Sequence, residues 1–333
     1  MSTLNVAVVG LGAIGREHCD IYASLRGANL AAVVDPALSA DVVAQHWPQA
    51  RLLGSLADVL ADDTIDAVSL CTPDDVHFED ATAIMQAGKH LLLEKPIAAV
   101  PSEAETLAVR AEASAVVAMP GHTLRFEPRY HHAHHVVDSG EIGDTVHGYV
   151  RRNNKVSVAA RAGGRVSVAF FLGIHDIDAL QWIAHADVVD VQARETTLRD
   201  ASGKQAAAIV ATLGLESGAL VQLEAAWALP ENNPTDLDAR FRLVGTSGEL
   251  SIDSYDSGIR VHTDHFSLPM PAGAPMYGRS QGALREELAS FVHCCLDGEP
   301  LPITMREAAQ AVMVVDAIEE SIRSERIVQV RRL

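Results

Sequence analysis

The segment Gly10-Leu11-Gly12-Ala13-Ile14-Gly15 restricts the fold of this chain more than any other stretch. It follows a short apolar run, Asn5 to Val9, and opens a helical pattern that continues through Leu25. Strand, glycine turn and helix in that order begin a βαβ unit. Each glycine has a mechanical reason: Gly10 allows a tight turn, Gly12 lets a pyrophosphate approach the backbone, and Gly15 lets the helix pack close to the strand. The helix N-terminus then faces the phosphates with its free N–H groups. Gly10, Gly12, Ala13, Ile14 and Gly15 are therefore expected to line a bound dinucleotide. A second apolar run, Leu30 to Val34, ends at Asp35, 20 residues beyond Gly15. The Asp35 carboxylate can accept from both ribose hydroxyls and would repel a 2′-phosphate. Pro36, Ala37 and Leu38 offer such a phosphate no cation. The expected cofactor is NAD, with NADP less favoured.

The alternation continues. Ala67 to Cys71, His90 to Leu93 and Val116 to Met119 are further apolar runs. Between the runs lie helix-period segments at Asp41 to His46, Leu56 to Leu60, Phe78 to Ala87 and Ser102 to Ser114. Short unbroken apolar runs between helices predict a parallel sheet buried on both faces, a doubly wound α/β Rossmann fold. Beyond about residue 121 the pattern changes. Helices are expected at Tyr130 to Ser139 and His175 to Ala184, then strands at Val188 to Thr197, Ala206 to Leu213, Ala219 to Trp227 and Ala239 to Val244. Turns are expected at Glu216-Ser217-Gly218 and from Gly245 to Glu249, and helical period returns at Ala283 to Leu296 and Arg306 to Arg323. Strands following strands predict an antiparallel sheet in a second, α+β domain. The expected division is 1–120 for dinucleotide binding and 121–333 for substrate binding and assembly, with the C-terminal helix packing back on the first domain.

Charge excludes some functions. Lys plus Arg number 26 against 44 Asp plus Glu, a net charge of -18, which repels phosphate backbones and anionic lipid. Neither nucleic acid nor a membrane is an expected partner. Apolar residues make up 48% of the 333, enough for cores without disulfide or metal staples, and no apolar stretch approaches the ~18 residues of a membrane span. Cys19, Cys71, Cys294 and Cys295 form no C-x-x-C pair, and the N-terminus has no basic leader region. Reduced thiols and a cytoplasmic location are expected.

His90-Leu91-Leu92-Leu93-Glu94-Lys95-Pro96 places a charged pair at the carboxyl end of a buried strand, the edge where open α/β sheets bind ligands. Taken alone, Glu94-Lys95 is equally a solvated pair at a strand end. Pro96 holds Lys95 in an extended conformation, and Cys71-Thr72-Pro73 closes the preceding strand at the same edge. These pieces, with His77, Gly121-His122 through Arg125 and Pro128, and Gly173-Ile174-His175-Asp176-Ile177-Asp178 with Trp182, resemble the Gfo/Idh/MocA family of NAD(P)-dependent oxidoreductases, which includes inositol dehydrogenases. The resemblance covers nearly the whole chain. It implies a Rossmann domain plus a domain with a large, mostly antiparallel sheet, and assembly as a homodimer or homotetramer. It also implies that Lys95 touches the reacting hydroxyl and the nicotinamide, that Thr72, Pro73, His77 and Glu94 are further cofactor contacts, and that His175 is the acid/base. Without the resemblance, His175 with Asp176 and Asp178 reads as an ordinary helix start.

One departure stands out. Inositol dehydrogenase-like members carry an aspartate four residues before the histidine, where this chain has Phe171. Three readings stay open: Lys95 and His175 suffice; the substrate differs from inositol and packs on the phenyl ring; or the chain binds cofactor without turnover. Arg151-Arg152-Asn153-Asn154 lies just past a strand-like run, Val146 to Val150, and reads either as a pocket wall or as a solvated strand end. Arg152, Asn153, His122, Arg125 and Phe171 are taken as substrate contacts beside Lys95 and His175. Arg161 and Arg165 add local positive charge, a weak sign of an acidic or phosphorylated substrate. His131-His132-Ala133-His134-His135 is expected to be an exposed helix face, not a metal site, and no metal is expected. The expected function is NAD-dependent oxidation of a cyclic polyol or sugar, with a keto-sugar reductase or a non-catalytic dinucleotide sensor as the alternatives.

Overall fold

The computed structural model describes residues 3–159, 165–199, 205–256, 261–262, 266–267 and 276–333. The chain divides into two compact units, Met1–Phe126 with Gly273–Ala309, and Glu127–Ala272 with Gln310–Leu333.

In the first unit, strands β1 (Leu4–Val9), β2 (Ala28–Val34), β3 (Arg51–Leu52), β4 (Ala67–Leu70), β5 (His90–Glu94) and β6 (Ala118–Gly121) form one parallel sheet in the order β3-β2-β1-β4-β5-β6. Helices α1 (Ala13–Tyr22), α2 (Ala40–His46), α3 (Leu56–Leu60), α4 (His77–Gln86) and α5 (Pro101–Glu112) connect the strands. Val6, Val8, Val33, Val68, Leu91 and Leu93 are fully buried, as strands covered on both faces require. The strand order reverses between β1 and β4, and the crevice outside that reversal is where such sheets bind ligands. Gly10, Asp35, Cys71, Glu94 and Gly121 lie at the carboxyl ends of β1, β2, β4, β5 and β6, so topology alone gathers the expected cofactor residues on one edge.

In the second unit, β7 (Thr145–Lys155), β8 (Val188–Arg199), β9 (Gln205–Leu215), β10 (Leu220–Leu229), β11 (Leu237–Gly245) and β12 (Glu249–Asp253) join a short β15 (Val328–Gln329) in the order β12-β11-β7-β10-β9-β8-β15. Among the described residues, only the β7–β10 pair in this sheet is parallel. A separate pair, β13 (Val261–His262) and β14 (Phe266–Ser267), is antiparallel. Helices α6 (Pro128–Asp138) and α7 (Ile174–Ala184) pack on one sheet face. Val150, Val221, Leu223 and Ala225 point under them and are at most 1% exposed, while Gln222 and Arg240 are exposed. Strand alternation accounts for this split. β7 is longer than the sequence pattern predicts. It runs through Lys155, so residues 151–154 lie inside a strand and not past its end.

Helices α8 (Ala283–Asp297) and α9 (Met305–Ser324) follow the second sheet in sequence. α8 belongs to the first unit and packs on α1, and the division between the units falls within α9. Among the described residues, no helix is long and apolar enough to cross a membrane.

Candidate functional site

The glycine turn separates two requirements. Gly10 has φ +87°, and a Cβ there would come within 2.7 Å of the Cys71 and Thr72 backbone. A Cβ on Gly15 would sit 1.9 Å from the Gly10 carbonyl oxygen. Both glycines are demanded by the fold itself. A Cβ on Gly12 would meet nothing within 4 Å. Gly12 and Ala13 are exposed and Ile14 is half-buried. Gly12 is also the N-cap of α1 and offers no capping side chain, so the first N–H groups of the helix have none to bond. An open approach to an uncapped helix start suits a pyrophosphate.

Asp35 is fixed against that turn. Its Oδ2 accepts the Leu11 N–H at 2.7 Å and its Oδ1 accepts the Ala37 N–H at 2.8 Å. Each carboxylate oxygen keeps further acceptor capacity for a ribose hydroxyl. Nearby, Thr72 Oγ1 is buried with no hydrogen-bond partner among the described residues, a polar atom that a bound cofactor could satisfy. These residues fit a dinucleotide.

The next turns carry the charged residues. His77 is buried, with Nδ1 2.7 Å from the Pro96 carbonyl oxygen and Nε2 2.9 Å from that of Thr72. Both ring nitrogens of His77 thus face carbonyl oxygens, which places the residue as a strut between the ends of β4 and β5. Glu94 is 8% exposed. Its Oε2 accepts the Lys95 N–H at 3.3 Å, and its Oε1 lies 3.3 Å from His18 Nε2. Lys95 itself is half-buried, and the Lys95–Pro96 bond is cis.

Beyond β6, His122 is 1% exposed. Arg125 is also buried and bonds Glu307 Oε1 at 2.8 Å and the Pro302 carbonyl at 3.1 Å. Those bonds make Arg125 an internal tie of the first unit, which corrects its expected role as a substrate contact.

In the second unit, a π-helical turn, Ala169–Gly173, leads straight into α7. Such turns recur at functional sites, and nothing in the sequence period announces this one. It carries Phe171, whose ring meets Trp227 of β10 edge-on at 5.6 Å between centroids. His175 follows, half-buried, in the first turn of α7. Its neighbour Asp176 is buried and takes a two-point ion pair from Arg152 of β7, Nε–Oδ2 2.6 Å and Nη2–Oδ1 3.2 Å. Burial disfavours the Arg152 charge, but Asp176 and Tyr130 beside it more than restore it, so the guanidinium is held above its ordinary value. The expectation that Arg152 and Asn153 face one substrate fails on strand alternation. Arg152 points to the helix-covered face, and Asn153 bonds Glu224 on the other at 2.6 Å, beside Tyr149, which bonds Glu224 at 2.5 Å. Arg165 is exposed, and Arg161 lies outside the described residues. Within the histidine cluster, His131, His132 and His135 are exposed as expected, whereas His134 packs on Trp182 at 4.3 Å and on His185 at 4.7 Å.

Sequence reasoning missed His18. It lies three residues past Gly15 on the buried face of α1, in contact with Ser69, Cys71 and Glu94. The one available signal is a polar residue on a helix face otherwise made of Cys19, Ile21 and Tyr22.

Known proteins share this architecture. A family model described as an oxidoreductase family with an NAD-binding Rossmann fold matches residues 4–122, and the GFO/IDH/MocA C-terminal domain matches residues 130–251. Inositol 2-dehydrogenase 2 of Saccharopolyspora erythraea is 29% identical, over 96% of this chain and 93% of that protein. The 4-carboxy-2-hydroxymuconate-6-semialdehyde dehydrogenase of a Sphingobium strain is 28% identical, over 74% of this chain and 78% of that protein. The crystal structure of GenD2 from gentamicin A biosynthesis, in complex with NAD, superposes with a TM-score of 0.84 at 25% identity, covering 99% of this chain and 97% of that one. The chain belongs to the Gfo/Idh/MocA family of oxidoreductases, and its first unit is that family's NAD-binding Rossmann domain.

Proposed function

We propose that this enzyme oxidises a secondary hydroxyl of a cyclic polyol or sugar, with NAD as the oxidant. The observation that carries the proposal is the shared edge of the first unit. The glycine turn, Asp35 and Lys95 all lie at the carboxyl ends of strands in one parallel sheet, and the chain matches an inositol 2-dehydrogenase over 96% of its length. The N–H groups after Gly12 hold the pyrophosphate, and Asp35 holds the adenosine ribose. Bound NAD supplies the hydride acceptor at C4 of its nicotinamide. Lys95 stabilises the reacting oxygen as its charge grows, and His175 takes the hydroxyl proton near neutral pH. The chain works as a cytoplasmic homodimer or homotetramer.

Phe171 lies one turn before His175 with its ring braced by Trp227, and adds an aromatic surface there. Such a surface packs on the C–H face of a ring substrate. Pyranoses and inositols with equatorial hydroxyls both present that face. The same residues serve a keto-sugar reductase, and metabolism sets the direction. Replacing Lys95 with Ala should lower kcat by about a hundredfold or more while NAD affinity stays within a few fold. Equal turnover in the variant would remove Lys95 from the mechanism.

A further inference from the structure

We propose that His18 is a positioning residue for Lys95, acting through Glu94. The inference rests on the role given to Lys95 above. His18 is completely buried on α1, the helix whose N-terminus faces the dinucleotide. Its ring spans two strands. Nδ1 is 2.7 Å from Ser69 Oγ and 3.4 Å from Cys71 Sγ, both from β4 and the turn that follows it. Nε2 is 3.3 Å from Glu94 Oε1 at the end of β5, a skewed approach that makes the contact an ion pair more than a linear hydrogen bond. The other Glu94 oxygen accepts the Lys95 N–H. Gly121 lies beside Glu94 and leaves the carboxylate its place, since a Cβ there would come within 3.3 Å of Glu94 Oε1.

A buried carboxylate without a counter-charge takes up a proton. The groups facing the His18 ring are Ser69, Cys71, Glu94 and, edge-on from its own helix, Tyr22. Burial pushes the Cys71 thiol up while His18 beside it draws it back, and Glu94 is the carboxylate of this set. Burial disfavours a charge on His18, but its contacts with Cys71 and Glu94 outweigh that and raise its pKa to about 10. Burial likewise disfavours the Glu94 charge, but His18 and Lys95 hold the carboxyl below its ordinary value. His18 thus keeps Glu94 ionised, and ionised Glu94 fixes the peptide and the local charge from which the Lys95 side chain departs. A neutral Glu94 would leave Lys95 without that anchor.

The test uses the full-length protein with His18→Gln, Glu94→Gln and the double variant. His18→Gln should lower kcat about tenfold or more, while NADH affinity, read by fluorescence, stays within about threefold. The double variant should be no slower than Glu94→Gln alone, because both substitutions break one path. Wild-type kcat in His18→Gln, a parallel loss of NADH affinity, or multiplying losses in the double variant would each overturn the proposal. A second measurement needs no substrate: the ¹⁵N spectrum of labelled histidine at pH 8.5, with the His18 signal assigned by its loss in His18→Gln. Both ring nitrogens should carry protons in the wild type, and the ring should become neutral in Glu94→Gln. A neutral His18 in the wild type overturns the proposal even if the substrate reading fails on its own account.

Discussion

At Gly12 and Gly15 the same substitution should fail for different reasons. Gly15→Ala drives a methyl to 1.9 Å from a backbone carbonyl that cannot yield without moving the turn. A loss of about 2–4 kcal/mol of stability is expected, together with NAD binding. Gly12→Ala places its methyl in open space, so the melting temperature should stay within about 2 °C, while NAD affinity falls about tenfold or more. Thermal unfolding with and without NADH separates the two, and undiminished affinity in Gly12→Ala would remove the pyrophosphate from this turn. Asp35→Arg should weaken NAD and improve NADP, since it trades an acceptor for a cation; an unchanged cofactor ratio by titration contradicts the assignment. His18 and Glu94 give a pH signature with opposite signs. The raised His18 contributes stability that is complete below its unfolded value of 6.5 and lost as pH rises through about 10. The lowered Glu94 contributes stability that is complete above its ordinary 4.5 and lost as pH falls below it. The melting-temperature gap between wild type and His18→Gln should be widest from about pH 4.5 to 6.5 and narrow toward pH 10.

The elements near His175 are held by one buried ion pair. Arg152 of β7 and Asp176 of α7 are each at most 6% exposed. Arg152→Met leaves a buried carboxylate alone, which should cost about 3–5 kcal/mol in a denaturant titration. Arg152→Met with Asp176→Leu should recover most of that loss, because no charge is then stranded. A single variant as stable as wild type would mean that the pair anchors nothing. Elements also explain what the sequence could reveal. The glycine turn, Asp35 and the runs that became β1, β2, β4 and β5 are local signals, complete within a few residues. β3 and β15 are two residues each, too short for any period. Asn153 was misplaced because β7 reads as ending at Val150; once the strand continues, alternation sends it to the face opposite Arg152. His18 was invisible because its partners are distant in sequence: Ser69 is 51 residues away, and only the parallel sheet brings them together.

For the molecule as a whole, the net charge of -18 keeps copies apart in low salt, so the proposed assembly requires a specific surface. One face of the second sheet carries Tyr149, Arg151 and Asn153 engaged with Glu224 and Asp238, with Val210 half exposed beside them. Light scattering should give two or four times the 35.5 kDa chain mass; a monomer at micromolar concentration would contradict the proposed assembly. In the proposed reaction hydride moves from a ring hydroxyl to NAD with Lys95 at the reacting oxygen. It is tested most directly by absorbance at 340 nm, with NAD and a panel of inositols, aldoses, deoxygenated cyclitols, uronic acids and sugar phosphates, for wild type and Lys95→Ala side by side. NADH formation is expected with at least one member, slower by about a hundredfold or more in the variant, with NADH still bound by both. Silence from the wild type across the panel, or equal rates in the two proteins, would contradict it.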